Sequence, residues 1–159
     1  MSIKNYSSHK GQYIITNKNK YIGKTPPYYK SALEFYFMRY CDNNDNILQW
    51  QYEGIAIPYI NPLKPLKESN EPNANYYPDF YIKYRDLKGE IKEALIEVKS
   101  KNETMPPKEQ KRISKKWKQE FCTYKLNESK WRQCKAYCDK AGLGFMIITE
   151  DFINSHKYI

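Results

Sequence analysis

The sequence predicts an α/β protein, and three observations support that prediction. Residues 76–101 have the pattern of two strands joined by a polar turn around Gly89, because β-branched and aromatic residues fill both flanks but not the middle. Residues 31–42 and 127–141 each place apolar side chains at the spacing of one helical face. Residues 145–149 form a short apolar run suited to a buried strand. Helices and strands therefore mix within one chain.

Length and composition indicate one basic domain. A chain of 159 residues can bury a core without disulfides or a structural metal. Its net charge of +9 favours an acidic polymer such as nucleic acid as partner, although a basic soluble protein without such a partner could have the same charge. The four cysteines lack zinc-finger spacing, so we expect reduced core residues. Without a membrane-length apolar run or a recognisable signal peptide, we expect a cytoplasmic protein with no membrane contact.

The chain begins with a lysine-rich segment and a helix. Residues 1–30 have the composition of a basic surface arm, with few aliphatic side chains. In the helix predicted over residues 31–42, Glu34 lies in the first turn, and two interpretations are open. Ser31 and Glu34 have the spacing of a capping box, in which the Glu34 carboxylate bonds the Ser31 amide. Alternatively, the helix delivers Glu34 to a functional site.

A strand and a long loop come next. The strand is predicted over residues 49–57 and the loop over residues 61–75. Because an unstructured connection of this length is near the upper limit for a compact domain, we expect the loop to be functional or to face a partner.

The hairpin that follows brings two carboxylates together. If its turn is centred near Lys88, Asp79 lies opposite Glu97, and directly opposed side chains are about 5 Å apart at Cβ. Two like charges at that distance repel each other unless a cation lies between them. Because side chains alternate along a strand, Lys99 shares the face of Glu97, whereas the Val98 side chain points to the core. The pattern predicts a divalent metal site.

Such a site suits phosphodiester hydrolysis. Mg²⁺ takes one or two protein carboxylates, here Asp79 and Glu97, and the Val98 carbonyl can add an oxygen. Lys99 would place an ammonium beside the attacking water or the developing negative charge. Glu34 would be the third acid, completing the shell of the first ion or holding a second. A solvent-facing strand pair with a weak Glu–Lys contact is the alternative explanation.

The segment over residues 108–118 is strongly basic. Ile113 and Trp117 are four residues apart, so one flank of a helix can pack while the cations project outward. The cations form either a solvated face or a phosphate-binding surface. Because the segment follows Lys99 closely in the sequence, phosphate contact is favoured. The residues predicted to bind DNA are Lys101, Lys108, Lys111, Arg112, Lys115, Lys116 and Lys118.

A second helix is predicted from an N-cap at Asn127 to Gly142, and residues 151–159 are expected to be a C-terminal tail.

These motifs resemble those of a known family. Pro78-Asp79 followed by Glu97-Val98-Lys99 resembles the signature of the PD-(D/E)XK nuclease superfamily, and Glu34 resembles the acidic residue that many members carry on a preceding helix. A more specific resemblance, to the head completion nucleases of T-even-type tailed phages, covers residues 30–150. The segments that carry it are residues 31–42, 57–59, 76–81, 95–99, 130–131 and 148–150.

The resemblance implies a fold and a function. The fold is a restriction-endonuclease-like core over residues 31–150, with a mixed central β-sheet flanked by helices. The activity is that of a deoxyribonuclease on packaged double-stranded DNA, with Mg²⁺, or Mn²⁺ as its substitute, and with Glu34, Asp79, Glu97 and Lys99 as catalytic residues. The location is the head–tail neck of the virion, beside portal and neck proteins, and the host cytoplasm during assembly. Two other functions stay open: a structural neck component, and a recombination enzyme such as a resolvase or transposon-end nuclease.

Overall fold

The computed structural model describes residues 9–156, in which three α-helices accompany eight β-strands. In chain order the elements are β1 (Gly11–Gln12), β2 (Tyr28–Tyr29), α1 (Ala32–Asn43), β3 (Ile47–Tyr52), β4 (Ile57–Tyr59), β5 (Ala74–Tyr76), β6 (Phe80–Arg85), β7 (Ile91–Val98), α2 (Lys115–Ala141), β8 (Gly144–Ile148) and α3 (Glu150–His156). Short 3₁₀ turns lie at Lys18–Lys20 and Lys101–Thr104.

The central sheet has the strand order β3-β6-β7-β8. β6 pairs with β3 and β7 in the antiparallel sense, whereas β7 and β8 are parallel. The parallel pair requires a crossover, and α2 supplies it. The predicted α/β class, with a mixed sheet flanked by helices, is confirmed.

The hairpin of β6 and β7 has the predicted register. Phe80 pairs with Ile96 and Arg85 with Ile91. Gly89 lies in the turn with φ +80°, a backbone conformation that glycine adopts without a steric penalty. Continued by one residue beyond Phe80, this register opposes Asp79 to Glu97.

Strand β7 is covered on both faces. Ala94, Ile96 and Val98 belong to a core with residues of α1 and α3, whereas Leu95 belongs to a second core with residues of α2, β4 and β5. Alternation along the strand therefore places Glu97, which has the parity of Leu95, on the α2 side. Burial of both faces explains why apolar residues are nearly continuous over residues 94–98.

The N-terminal segment differs from the predicted surface arm. Strands β1 and β2 pair with each other, and the Tyr13 side chain is 7% exposed within the first core. The buried Asp42 carboxylate accepts hydrogen bonds from the Tyr13 hydroxyl and from the amides of Thr16 and Asn17, at 2.8–2.9 Å. Charge-assisted bonds of this kind tie the segment to α1. Residues 11–29 are therefore part of the folded domain, and residues 1–8 lie outside the described range.

Helix α2 also differs from the prediction. It is one continuous helix of 27 residues, so Asn127 lies in its interior and is not an N-cap. The N-cap is Ser114, whose Oγ accepts a hydrogen bond from the Trp117 amide at 3.0 Å. The helix ends at Gly142, as predicted, with φ +72°. The basic residues 108–114 precede the helix.

Two other segments are more structured than expected. The strand predicted over residues 49–57 is divided into β3 and β4, because Glu53 and Gly54 take positive φ values of 48° and 92° between them. The expected C-terminal tail contains α3, which packs on α1 and buries Ile153. Residues 157–159 lie outside the described range.

The long loop before the hairpin has an anchored base. The Asn61 amide donates to Asn73 Oδ1 at 2.6 Å, and Asn73 Nδ2 donates back to the Asn61 carbonyl at 3.2 Å. Gln133 of α2 bonds both the amide and the carbonyl of Ile60, at 2.8 and 2.9 Å. The loop therefore starts from a fixed position beside α2. No helix within residues 9–156 is long and apolar enough to cross a membrane.

Candidate active site

Asp79 is held by hydrogen bonds to two neighbouring segments. It follows the buried Pro78 and directly precedes β6. Its carbonyl accepts a hydrogen bond from the Glu53 amide at 2.8 Å, and its carboxylate Oδ2 accepts one from the Val98 amide at 2.8 Å. The second bond crosses to β7, so the hairpin itself fixes the direction of the carboxylate.

Glu97 lies opposite Asp79 and is buried. Its residue is 7% exposed, and Oε2 accepts a hydrogen bond from the Tyr76 hydroxyl at 2.5 Å. Burial and the Glu97 charge raise the pKa of Tyr76, so this hydroxyl stays protonated and donates. One oxygen of each carboxylate is thus committed to a protein donor, which leaves Asp79 Oδ1 and Glu97 Oε1 to face other groups.

The environment disfavours the charged form of both carboxyl groups. Burial, followed by the charge of Glu97, raises the pKa of Asp79 well above its usual range, against the effect of the Val98 hydrogen bond. Burial also raises the pKa of Glu97, and this rise is opposed by the Tyr76 hydrogen bond and by the charges of Lys99 and Lys130. Two neighbouring carboxyl groups in such a setting titrate as a pair. A cation between them would favour ionisation of both.

Lys99 is the predicted lysine of the site. Its Nζ lies 3.9 Å from Glu97 Oε1 and 3.8 Å from Glu103 Oε2. Its amide donates to the Ile148 carbonyl at 3.0 Å, so the backbone continues the β7–β8 ladder one residue past Val98. Lys99 is therefore on a rigid element, with its ammonium beside one of the two carboxylates.

Glu34 combines features of both interpretations that the sequence left open. Ser31 Oγ accepts from the Glu34 amide at 3.2 Å, but the Glu34 carboxylate accepts from the Lys30 amide at 2.9 Å and not from that of Ser31. Burial raises the pKa of Glu34, and the hydrogen bond from Lys30 and the charge of Lys99 oppose that rise. Glu34 is therefore close enough to the site to interact with Lys99. Its carboxylate also bonds the backbone just before the N-terminus of α1.

The acidic side chains provide oxygen ligands for a metal ion but do not surround one completely. Within residues 9–156, no group of three or more His, Cys, Asp and Glu side chains is arranged to hold a metal ion. Asp79 and Glu97 are two carboxylates, and Glu34 is near enough for its charge to raise the pKa of Asp79 further without joining them in one such group. Oxygen ligands and a pair of buried like charges fit a hard cation such as Mg²⁺, which needs few protein ligands.

The basic segment lies beside the N-terminal half of α2. Trp117 Nε1 donates to the Lys108 carbonyl at 2.8 Å, and the Trp117 ring stacks on Phe121 with centroids 5.2 Å apart. These contacts hold the irregular stretch before the helix against its first turns. The predicted DNA-binding residues of this segment are exposed: Lys108, Lys111, Arg112, Lys115, Lys116 and Lys118.

Lys101 has a different environment from the rest of that predicted set. Its Nζ forms an ion pair with Asp151 at 3.0 Å, and its amide donates to Glu150 Oε2 at 2.8 Å. Both partners belong to α3. The ammonium of Lys101 is thus partly neutralised by its own chain.

Three groups that border the site were not predicted from the sequence. Tyr76 bonds Glu97, Lys130 lies over the Tyr76 ring, and Glu53 bonds the Asp79 carbonyl through its amide. Glu53 Oε1 also lies 3.2 Å from Lys30 Nζ. Tyr76 precedes Pro78-Asp79 by two residues, which was a usable signal. Lys130 belongs to residues 130–131, which carry part of the family resemblance, but its position beside Tyr76 could not be predicted, because only the packing of α2 brings it there.

Comparisons with known proteins find similarity to two nucleases or nuclease families. The model of the TnsA-like endonuclease N-terminal family matches residues 44–150, a range that holds Asp79, Glu97 and Lys99 but not Glu34. The head completion nuclease of Enterobacteria phage T4 is 30% identical over 149 residues, covering 91% of this chain and 93% of that protein. No solved structure matches the chain significantly. The resemblance inferred from the motifs is confirmed.

Proposed function

The chain belongs to the TnsA-like endonuclease family, and from this premise we propose that it is a Mg²⁺-dependent nuclease that hydrolyses phosphodiester bonds of double-stranded DNA. One observation supports the proposal most directly: Asp79 and Glu97 face each other from paired segments, with Lys99 beside them. Asp79 directly precedes β6, Glu97 lies within β7 and Lys99 directly follows it, so the hairpin positions all three. Because the matched family is one of endonucleases, we expect cleavage at internal positions of a DNA strand.

The residues divide the catalytic work. Asp79 and Glu97 would hold the metal through the oxygens that Val98 and Tyr76 leave free, and the Val98 carbonyl and, as a more distant acid, Glu34 would be the further oxygen donors. Mg²⁺, when bound, lowers the pKa of a coordinated water and neutralises charge on the phosphoryl oxygens. Lys99 orients the attacking water and balances the negative charge that grows as the leaving oxygen departs. The Val98 amide and the Tyr76 hydroxyl keep both carboxylates in position.

The proposed biological role of the nuclease is in the completion of phage heads. The T4 relative is named a head completion nuclease, and the alignment covers 93% of its length. On this proposal the substrate is packaged double-stranded DNA and the neighbours are portal and neck proteins. The protein then occupies the head–tail neck of the virion, and the host cytoplasm during assembly.

A metal-removal experiment tests the activity. We expect the purified protein to cleave supercoiled and linear duplexes in Mg²⁺ or Mn²⁺, and to lose cleavage in EDTA until excess Mg²⁺ restores it. Nicked and linear products from the supercoiled substrate would establish internal cutting.

Three other outcomes would contradict the proposal. Cleavage that persists in EDTA would exclude the metal mechanism. Absence of cleavage with every metal would favour a structural neck component that keeps the fold. A strong preference for four-way junctions over plain duplex would favour a recombination enzyme.

The basic segment should bind the DNA backbone. The double substitution Lys115→Glu with Lys116→Glu should weaken duplex binding at least tenfold at moderate salt. Because each phosphate contact contributes about 0.9 to the slope of log affinity against log salt, the slope should fall by roughly 2. Fluorescence anisotropy over a salt series measures both quantities.

A matched control uses the other end of the same helix. Lys135 and Lys140 are also exposed on α2, and Lys135 pairs with Asp139 at 3.5 Å. The corresponding double substitution there carries the same change in net charge and should leave the slope unchanged. An equal loss in both proteins would show a general charge effect and no local phosphate contact.

A further inference from the structure

Lys130 of α2 lies beside Tyr76 and close enough to Glu97 to interact with its charge. Its neighbours in the chain, Ser129 and Trp131, are buried at 6% and 8% exposure, so this part of the helix is turned to the sheet. The Lys130 Nζ lies 5.9 Å from the centroid of the Tyr76 ring, within the range of a cation–π contact. The hydroxyl of the same ring donates to Glu97 Oε2. A short chain of contacts thus links Lys130 to Glu97.

The ammonium of Lys130 has no carboxylate partner among the described residues. Three other lysines of α2 have one: Lys116 pairs with Glu120, Lys125 with Glu128, and Lys135 with Asp139, all within 3.8 Å. Those three side chains are more than half exposed, whereas Lys130 is half-buried. A partly desolvated charge without an anion is unfavourable.

The charges around Lys130 indicate which kind of ligand would bind its ammonium group. Burial lowers the pKa of Lys130, the Glu97 charge raises it and the Lys99 charge lowers it further, so all three groups interact at one site. Glu97 already has Tyr76 and Lys99 as partners. An anion brought by the substrate would relieve the repulsion between the two lysines and would supply the missing partner.

We propose that Lys130 is a second lysine of the active site and binds a non-bridging oxygen of the DNA phosphate next to the bond that is cut. The proposal rests on the nuclease function proposed above. The contact is a charge-assisted hydrogen bond from Nζ to phosphate, and no covalent step is involved. Lys99 and Lys130 then approach the phosphodiester from different elements, the end of β7 and α2, while the Tyr76 ring contacts the Lys130 ammonium.

Three variants test the role of Lys130. Lys130→Met removes the charge and keeps most of the apolar stem, and Lys130→Arg keeps the charge. Lys135→Met is the matched control on the same helix, since its ammonium is exposed and already paired. Duplex affinity is measured in EDTA over a salt series, single-turnover cleavage is measured in Mg²⁺, and a thermal melt checks that each variant is folded.

The expected results separate a phosphate contact from a structural role. Lys130→Met should lower the slope of log affinity against log salt by the contribution of about one phosphate contact. It should lower the cleavage rate by about 100-fold. Lys130→Arg should restore the slope and most of the rate, and Lys135→Met should match the wild type in both. An unchanged slope for Lys130→Met would overturn the proposal, even with slower cleavage, because Lys130 would then act only on Glu97.

The same assays distinguish this inference from the proposed function. If Asp79→Asn cleaved like the wild type, the metal site would be refuted, and the Lys130 slope would still decide whether that residue binds phosphate. If Asp79→Asn were inactive while Lys130→Met kept the wild-type slope and rate, the nuclease site would stand and the role of Lys130 would be overturned.

Discussion

Replacing Asp79 with asparagine should reduce Mg²⁺-dependent DNA cleavage by about 1,000-fold or more. Asparagine keeps an oxygen that can accept the 2.8 Å hydrogen bond from the Val98 amide, so the hairpin is preserved while the charge is lost. A bound metal contributes several kcal/mol of charge stabilisation to the transition state. A loss of about 4 kcal/mol corresponds to roughly a thousandfold in rate. Single-turnover cleavage at saturating protein measures this loss without contributions from product release.

Stability supplies the control for the same variant. Burial and the Glu97 charge raise the pKa of Asp79 in the folded state. The folded protein therefore holds its proton more tightly than the unfolded chain, and this contribution to stability falls as pH rises from about 4 through the folded pKa. Because Asp79→Asn carries no such ionisation, it should be more stable than the metal-free wild type by about 1 kcal/mol at neutral pH. The difference should vanish near pH 4.

Urea denaturation at several pH values, in EDTA, measures that difference. An inactive variant that is as stable as or more stable than the wild type has lost a ligand and not its fold. An Asp79→Asn protein that cleaves within about threefold of the wild type would remove Asp79 from the site. A variant less stable at neutral pH would contradict the electrostatic explanation.

The hairpin and its carboxylates could be predicted from sequence because their determinants are local. Gly89 supplies the positive φ of the turn, and the alternation of side chains fixes which residues share a face. Once the turn is placed, the pairing of Phe80 with Ile96 follows, and with it the opposition of Asp79 and Glu97. A register error of one residue would have moved the acids to opposite faces.

The parts that were missed depend on contacts between segments distant in sequence. Asn127 has the chemistry of an N-cap, but its unfavourable propensity in a helix interior is only a few tenths of a kcal/mol, and a helix capped at Ser114 continues through it. The N-terminal segment looked like an arm because it has few aliphatic residues. Tyr13 and the polar contacts of Asp42 tie it to the domain instead, and composition cannot reveal such contacts.

Tyr76 and Lys130 were missed for a related reason. They belong to β5 and α2. Tyr76 bonds Glu97, and Lys130 lies over the Tyr76 ring, only because both elements pack on the same face of β7. The sequence motif therefore identified the residues that the hairpin joins, whereas the tertiary fold adds the groups that orient them. The unexpected bond from the Lys30 amide to Glu34 is similar, since it depends on how the chain enters α1.

Replacing Lys99 with methionine should slow cleavage by about 100-fold while leaving metal binding intact. Removing one preorganised donor from a developing negative charge typically costs a factor of 100 to 1,000, roughly, in rate. The Lys99 amide continues to bond the Ile148 carbonyl in the variant, so the β7–β8 ladder is kept. Because Nζ lies 3.9 Å from Glu97 Oε1, its loss removes a positive charge that opposes a second cation. The Mg²⁺ concentration that gives half the maximal rate should therefore stay the same or fall.

The combination of a lower maximal rate and an unweakened Mg²⁺ requirement identifies the role of Lys99. A residue that merely maintained the metal site would raise the Mg²⁺ requirement when it is replaced. Lys92→Met is the matched control, since Lys92 lies on the same strand but at its far end, paired with Asp86 at 2.9 Å. That variant should cleave within about twofold of the wild type. If Lys99→Met and Lys92→Met had the same rate, Lys99 would have no part in the chemistry and the strand pair would be a surface feature.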